Sequence, residues 1–172
     1  TTALAFMAFA KFGVNAAVFE VGLGGRLDAT NIVTPKVSVI TSLSYDHMAV
    51  LGDTLAKIAG EKAGIIKPGV PIVSAPQKDE ALEVLLRVAI ERGALFTLVG
   101  KDIKFNALTN SLDGQTFKLS TNLQPENIQT FKLSLLGSHQ IENAATAYTA
   151  LKATGLNVSD EDIQTGFAQV KW

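Results

Sequence analysis

The chain has 172 residues, 47% of them hydrophobic and 18% charged, which suits one domain with a sizeable core. A net charge of −1 offers no basic surface for nucleic acid and no polybasic anchor for a membrane, and no apolar run approaches the ~20 residues of a membrane span. The absence of cysteine excludes a disulfide framework and thiol chemistry, and is compatible with a cytoplasmic protein.

In chain order, "TALAFMAFAKF" reads as a helix ending at Gly13. It lacks the basic start of a signal peptide, so a buried or amphipathic helix is expected. "AAVFEVGL" reads as a buried strand, short and bounded by glycine, and "KVSVITSL" as a second. Asp53-Thr54 caps a helix running to about Ala63, where Gly64 stops it. "VPIVSA" is a third strand, and Asp79 to Glu91 a periodic helix closed by Gly93. This alternation predicts an α/β fold, a mostly parallel sheet flanked by helices.

The texture changes near Leu95. "LFTLVG", "IKFNALT", "GQTFKLST" and "TFKLSLL" alternate between turn residues and predict a small antiparallel subregion over about 95–136. Helices return at Ser138, read as an N-cap, and again after the caps Ser159 and Asp160.

Chemistry concentrates after the strands. "VFEVGLGGRLDATN" has Gly22 and Gly24 but Leu27 where a dinucleotide loop needs its third glycine, and no G-x-x-x-x-G-K-[ST] occurs anywhere. Glu20, in an apolar run, needs a partner: Arg26, a lysine or a metal. His47, in "SLSYDHM", falls near the end of the next strand, where ligands of open parallel sheets gather. One carboxylate and one imidazole could bind a metal, with imidazole favouring zinc or manganese over magnesium. Lys62 reads either as an exposed lysine on helix carbonyls or as a desolvated, reactive amine. Asn143, in "GSHQIENAATA", sits in the first turns of a helix whose start caps itself or faces an anion.

Four stretches taken together, "EVGLGGRLDATN", "DHMAVLGDTLAKIAGEKAGIIKPG", "VSAPQ" and "GSHQIENAATA", resemble the folylpolyglutamate synthases, including bifunctional dihydrofolate synthases, within the Mur ligase superfamily. The resemblance implies a P-loop NTPase-like central ATPase domain and an ATP-dependent ligase. In such a ligase ATP phosphorylates a folate or dihydropteroate carboxylate. The amine of L-glutamate then attacks the acyl phosphate. By the same resemblance Glu20 and His47 match metal ligands for Mg2+, and Lys62 matches a lysine carried as a carbamate, a catalytic group and further metal ligand. Asp28 matches a position in the folate (pterin) pocket and Asn143 the asparagine that contacts ATP. Arg26 and His139 lie in these motifs without a separate role.

The family carries a P-loop strand before the first of these motifs, and a Pro-Gly-Arg segment and C-terminal domain after the last. Residues 1–172 are therefore expected to be a truncated central ATPase domain, inactive alone, with an exposed sheet edge that favours self-association. The alternatives are a Mur-type amino-acid ligase of cell-wall synthesis, against which "GLGGRLDATN" speaks, and a domain that only binds or assembles.

Overall fold

The computed structural model describes residues 1–171. Its centre is a three-stranded parallel sheet of β1 (Ser38–Ile40), β2 (Ile72–Ser74) and β3 (Phe96–Leu98), in that order. Successive side chains of a strand point to opposite faces. Ile72 therefore joins one core and its neighbour Val73 the other. Helices α3 (Leu55–Ala63) and α4 (Asp79–Glu91) cover the Ile72 face, packing Ile58, Ala59, Leu85 and Ala89 against Ile40 and Ile72.

The Val73 face is covered by α5 (Ser138–Ala153), whose Ala144, Ala145 and Ala150 allow close approach. The other side of α5 rests on an antiparallel meander of β4 (Ile103–Ser111), β5 (Gly114–Thr121) and β6 (Gln124–Leu133). Phe117 faces Phe131 across β5 and β6. Tyr148 of α5 and Phe167 of α6 (Asp160–Gln169) close this cluster, with ring centroids 5.3–6.0 Å apart. Among the described residues no helix is long and apolar enough to cross a membrane.

Helix ends follow local chemistry. Thr54 caps α3 by accepting from Lys57 N–H, and Ser159 and Asp162 form a reciprocal capping box at α6. The first helix, α1 (Thr2–Phe12), ends at Gly13 in the left-handed conformation.

Four expectations are corrected. "LFTLVG" supplies β3 of the parallel sheet, not the meander: Ile72 pairs with Phe96, and the helix α4 makes the crossover that parallel pairing requires. The antiparallel subregion is therefore 103–133 rather than about 95–136. "AAVFEVGL" forms no strand and has no ladder partner, and Val18 is 95% exposed; an apolar run becomes a strand only beside a free edge in register. Of the two readings of α1, the buried one fails, since the helix buries no residue; its half-buried face of Ala5, Phe6, Ala8 and Phe9 is the amphipathic one, and Phe6 and Phe9 touch Phe19. Ser138 is the first residue of α5, whose N-cap is Gly137 at φ +105° with no side-chain cap.

Candidate functional site

The loop that leaves β1 carries the first site residue. It runs through residues 41–46 into His47, the N-cap of the four-residue helix α2 (Met48–Leu51). His47 has φ 51° and ψ 35°, the single non-glycine residue at positive φ among the described residues. Such a backbone is strained for an L-residue and persists only where its surroundings hold it. Asp46 supplies part of that hold: its Oδ1 accepts the His47 N–H at 2.8 Å, and its Oδ2 lies 3.6 Å from His47 Nε2.

Lys62 sits in the last turn of α3, half-buried. Thr41, Ser42, Ser44, Asp46, His47 and Lys62 line one polar cleft of about 130 Å³ at the carboxyl end of β1. Two residues proposed to work together, 15 positions apart, thus face a common space. Glu20 does not line this cleft. It is exposed, and Arg26 pairs instead with Glu61, Nη2 to Oε1 at 3.0 Å. Among the described residues no three His, Asp or Glu side chains converge as a metal cage. The cleft offers hydroxyls, one carboxylate and one imidazole. The hydroxyls and the Asp46 carboxylate are the oxygen donors Mg2+ takes, whereas the Lys62 ammonium beside them opposes any cation while it stays charged.

The glycine-rich loop docks on the end of α3. Arg26 N–H donates to the Glu61 carbonyl at 2.9 Å. A Cβ on Gly25 would lie 2.9 Å from that same oxygen, and one on Gly64 would lie 2.4 Å from Arg26 Cα. Both glycines are therefore set by backbone meeting backbone. Asn31 Nδ2 spans the joint, donating to the carbonyls of Arg26 (3.1 Å) and Gly64 (3.0 Å). Lys67 Nζ in turn donates to the Asn31 carbonyl at 2.7 Å.

Asp28 ties the loop to itself. Its Oδ1 accepts from Thr30 Oγ1 (2.6 Å) and Thr30 N–H (2.8 Å), and its Oδ2 from the N–H groups of Gly22 (3.1 Å) and Leu23 (3.3 Å). The Thr30 hydroxyl, then the Thr30 N–H, hold its carboxyl below the usual carboxylate range, with smaller help from Leu23 and Gly22. Both oxygens are engaged inside the loop.

Asn143 is exposed on α5, the helix covering the opposite face of the parallel sheet from α3. Its Nδ2 donates to Gln140 Oε1 at 3.2 Å. The start of α5 is held by Gln115, a buried β5 side chain whose Nε2 donates to the carbonyls of Leu135 (2.8 Å) and Gly137 (2.9 Å). The structure thus joins His47 to Lys62 in one cleft and brings the Asp28 loop onto the Lys62 helix. Glu20 and Asn143 stand apart from that cleft. Sequence reasoning gave no role to Asp46, Asn31, Gln77 or Gln115. The one available signal was the polar residue closing the quoted stretches "GGRLDATN" and "VSAPQ".

Comparison with known proteins narrows the setting. The model of the Mur ligase middle domain matches residues 1–151. The chain is 41% identical over 177 residues to the dihydrofolate synthase/folylpolyglutamate synthase of Bacillus subtilis, covering 99% of this chain and 40% of that one. It is similar to the crystal structure of folylpolyglutamate synthase from Thermotoga maritima, with TM-score 0.88 and 39% identity over 99% of this chain and 38% of that one. It is also similar to the structure of an FPGS–AMPPCP–folate complex, with TM-score 0.93 and 32% identity over 99% of this chain and 42% of that one. The chain spans about two fifths of the length of these relatives.

Proposed function

This chain belongs to the Mur ligase middle domain family, and we propose that it is the central part of an ATP-dependent ligase that joins L-glutamate to folate or dihydropteroate. The observation that carries the reading is the shared cleft of His47 and Lys62 beside the docked glycine loop. Relatives of this chain are folylpolyglutamate and dihydrofolate synthases, and one was solved with AMPPCP and folate.

ATP activates a folate carboxylate as an acyl phosphate, and the glutamate amine displaces phosphate to form the amide. His47 and Lys62, the latter as a carbamate, line the cleft that would hold Mg2+, while Glu20, matched as a metal ligand by the resemblance, lies outside that cleft in this structure. Bound there, the ion would offset phosphate charge during phosphoryl transfer. Carbamylation requires the neutral amine of Lys62 and turns a cationic donor into an anionic oxygen ligand. Asp28 acts on the pterin side through the loop it folds, and Asn143 contacts the nucleotide from α5. A cytoplasmic location goes with this reading. The unpacked arm formed by α1 and residues 14–21 favours self-association of this chain, which sedimentation at rising concentration would read.

The test is glutamate-dependent ADP release with Mg2+ and either dihydropteroate or a reduced folate. Turnover is expected in the full-length parent and not in residues 1–172 alone, which carry no G-x-x-x-x-G-K-[ST] phosphate loop. Lys62→Arg keeps the charge but blocks the carbamate, and is expected to lower the parent's kcat by about 100-fold or more. No turnover with either acceptor overturns the folate reading and favours a Mur-type amino-acid ligase. Full turnover by Lys62→Arg removes the carbamate.

A further inference from the structure

The wall of the cleft that leads to His47 is held by a side chain from the segment that follows β2. Main-chain pairing between β1 and β2 ends where the Ala75 N–H donates to the Ile40 carbonyl. Pro76 follows, and beyond Ala75 no main-chain bond joins this segment to residues 41–43 among the described residues. Gln77 continues the pairing with its side chain. Its Nε2 donates to the Thr41 carbonyl at 2.9 Å, and its Oε1 accepts the Leu43 N–H at 3.0 Å. One amide thus bridges two positions of the neighbouring segment, as a residue of an adjacent parallel strand does.

The same Nε2 donates to Ser74 Oγ at 3.1 Å, and that buried hydroxyl donates to the Ala75 carbonyl at 2.8 Å. The amide is held from below as well as across. Thr41 and Leu43, its two partners, both line the cleft, and the chain they begin ends in the strained backbone of His47. α2 is four residues long and anchors to the core through Leu51 alone. Leu43 packs against the core on the Ile72 side, and Gln77 supplies the hydrogen bonds that tie the start of the 41–47 loop to the segment after β2.

We propose that Gln77 is a positioning residue: its amide sets the path of residues 41–43 and through them the place of His47 opposite Lys62. The effect on turnover rests on the ligase reading above; the tie itself does not. Gln77→Ala removes all three bonds. Gln77→Glu keeps the length but turns an oxygen toward the Thr41 carbonyl.

In the full-length enzyme both changes are expected to lower kcat by about 10- to 100-fold with KM for glutamate little changed, since a misplacement of about 1 Å weighs on the transition state. In residues 1–172, hydrogen exchange at the Leu43 amide is expected to accelerate at least tenfold, and the His47 ring resonances to shift. Unchanged Leu43 exchange and unchanged His47 signals overturn the tie, whatever the turnover. Faster exchange with full kcat overturns the positioning role. If the wild-type enzyme has no ligase turnover, the functional reading fails, and the exchange and ring signals decide the tie by themselves. Should Gln77→Ala not fold, Gln77→Asn, one methylene shorter, carries the same readouts.

Discussion

The arm of residues 1–21 and the meander of β4, β5 and β6 are both rich in large apolar side chains, yet one builds a core and the other does not. In the meander, Phe117, Leu119, Phe131 and Leu133 alternate with polar residues, so one face is apolar and meets α5 and α6. In the arm, Phe6, Phe9 and Phe19 meet one another, while Leu4, Met7, Phe12 and Val18 stay exposed. Apolar content supplies the driving force; a facing surface in register decides whether it is used.

The comparison breaks most sharply at phenylalanine. Phe117 is fully buried and Phe12 is 76% exposed. Phe117→Ala is expected to destabilise the chain by about 3–5 kcal/mol, and Phe12→Ala to stay within about 0.5 kcal/mol, by urea denaturation. Equal effects would mean that the arm packs in solution.

Glycine sharpens it next. Gly64→Ala forces a Cβ into Arg26 Cα, so a loss of about 1–3 kcal/mol and release of the Asp28 loop are expected. Gly13 has nothing within 4 Å, so Gly13→Ala carries only the left-handed penalty of about 1–2 kcal/mol, confined to the arm and visible in α1 amide exchange rather than in the global midpoint. A smaller effect is expected at the far end of the core, where Ser159→Ala removes half of the α6 capping box, at about 1 kcal/mol in thermal melting.

The smallest expected effect is a pH response of the Asp28 loop. Because the folded state lowers this carboxyl below its ordinary 3.8, the stability it contributes is present above that value and is lost as pH falls through the folded pKa. The amide signals of Gly22, Leu23 and Thr30 should therefore move together below about pH 4. Those of the meander should not. Persistence of the three signals in Asp28→Ala would show that the loop is held by its contacts with α3 alone.

Much of the fold was legible because it depends on near neighbours. The helix of Asp79–Glu91, the cap at Thr54, the stop at Gly64 and the box at Ser159 each follow from residues within one or two turns. The alternation of strand and helix announced a parallel sheet for the same reason. Of the residues singled out in the sequence, His47 and Lys62 line one cleft, while Glu20, Asp28 and Asn143 do not.

The partners were not legible. Arg26, one of the partners weighed for Glu20, pairs instead with Glu61, 35 positions away. "LFTLVG" has the alternation of a meander strand but pairs in parallel with β2. Gln77 reaches back 34 and 36 positions to Leu43 and Thr41. By itself the sequence determined which segments curl, which extend and which residue types can carry chemistry, since caps, turns and periodicity are properties of contiguous chain. Only the tertiary structure decided which edges meet, which apolar run stays unpaired and which side chain carries hydrogen bonding past the end of the ladder, because those outcomes depend on surfaces that exist only after distant segments have packed.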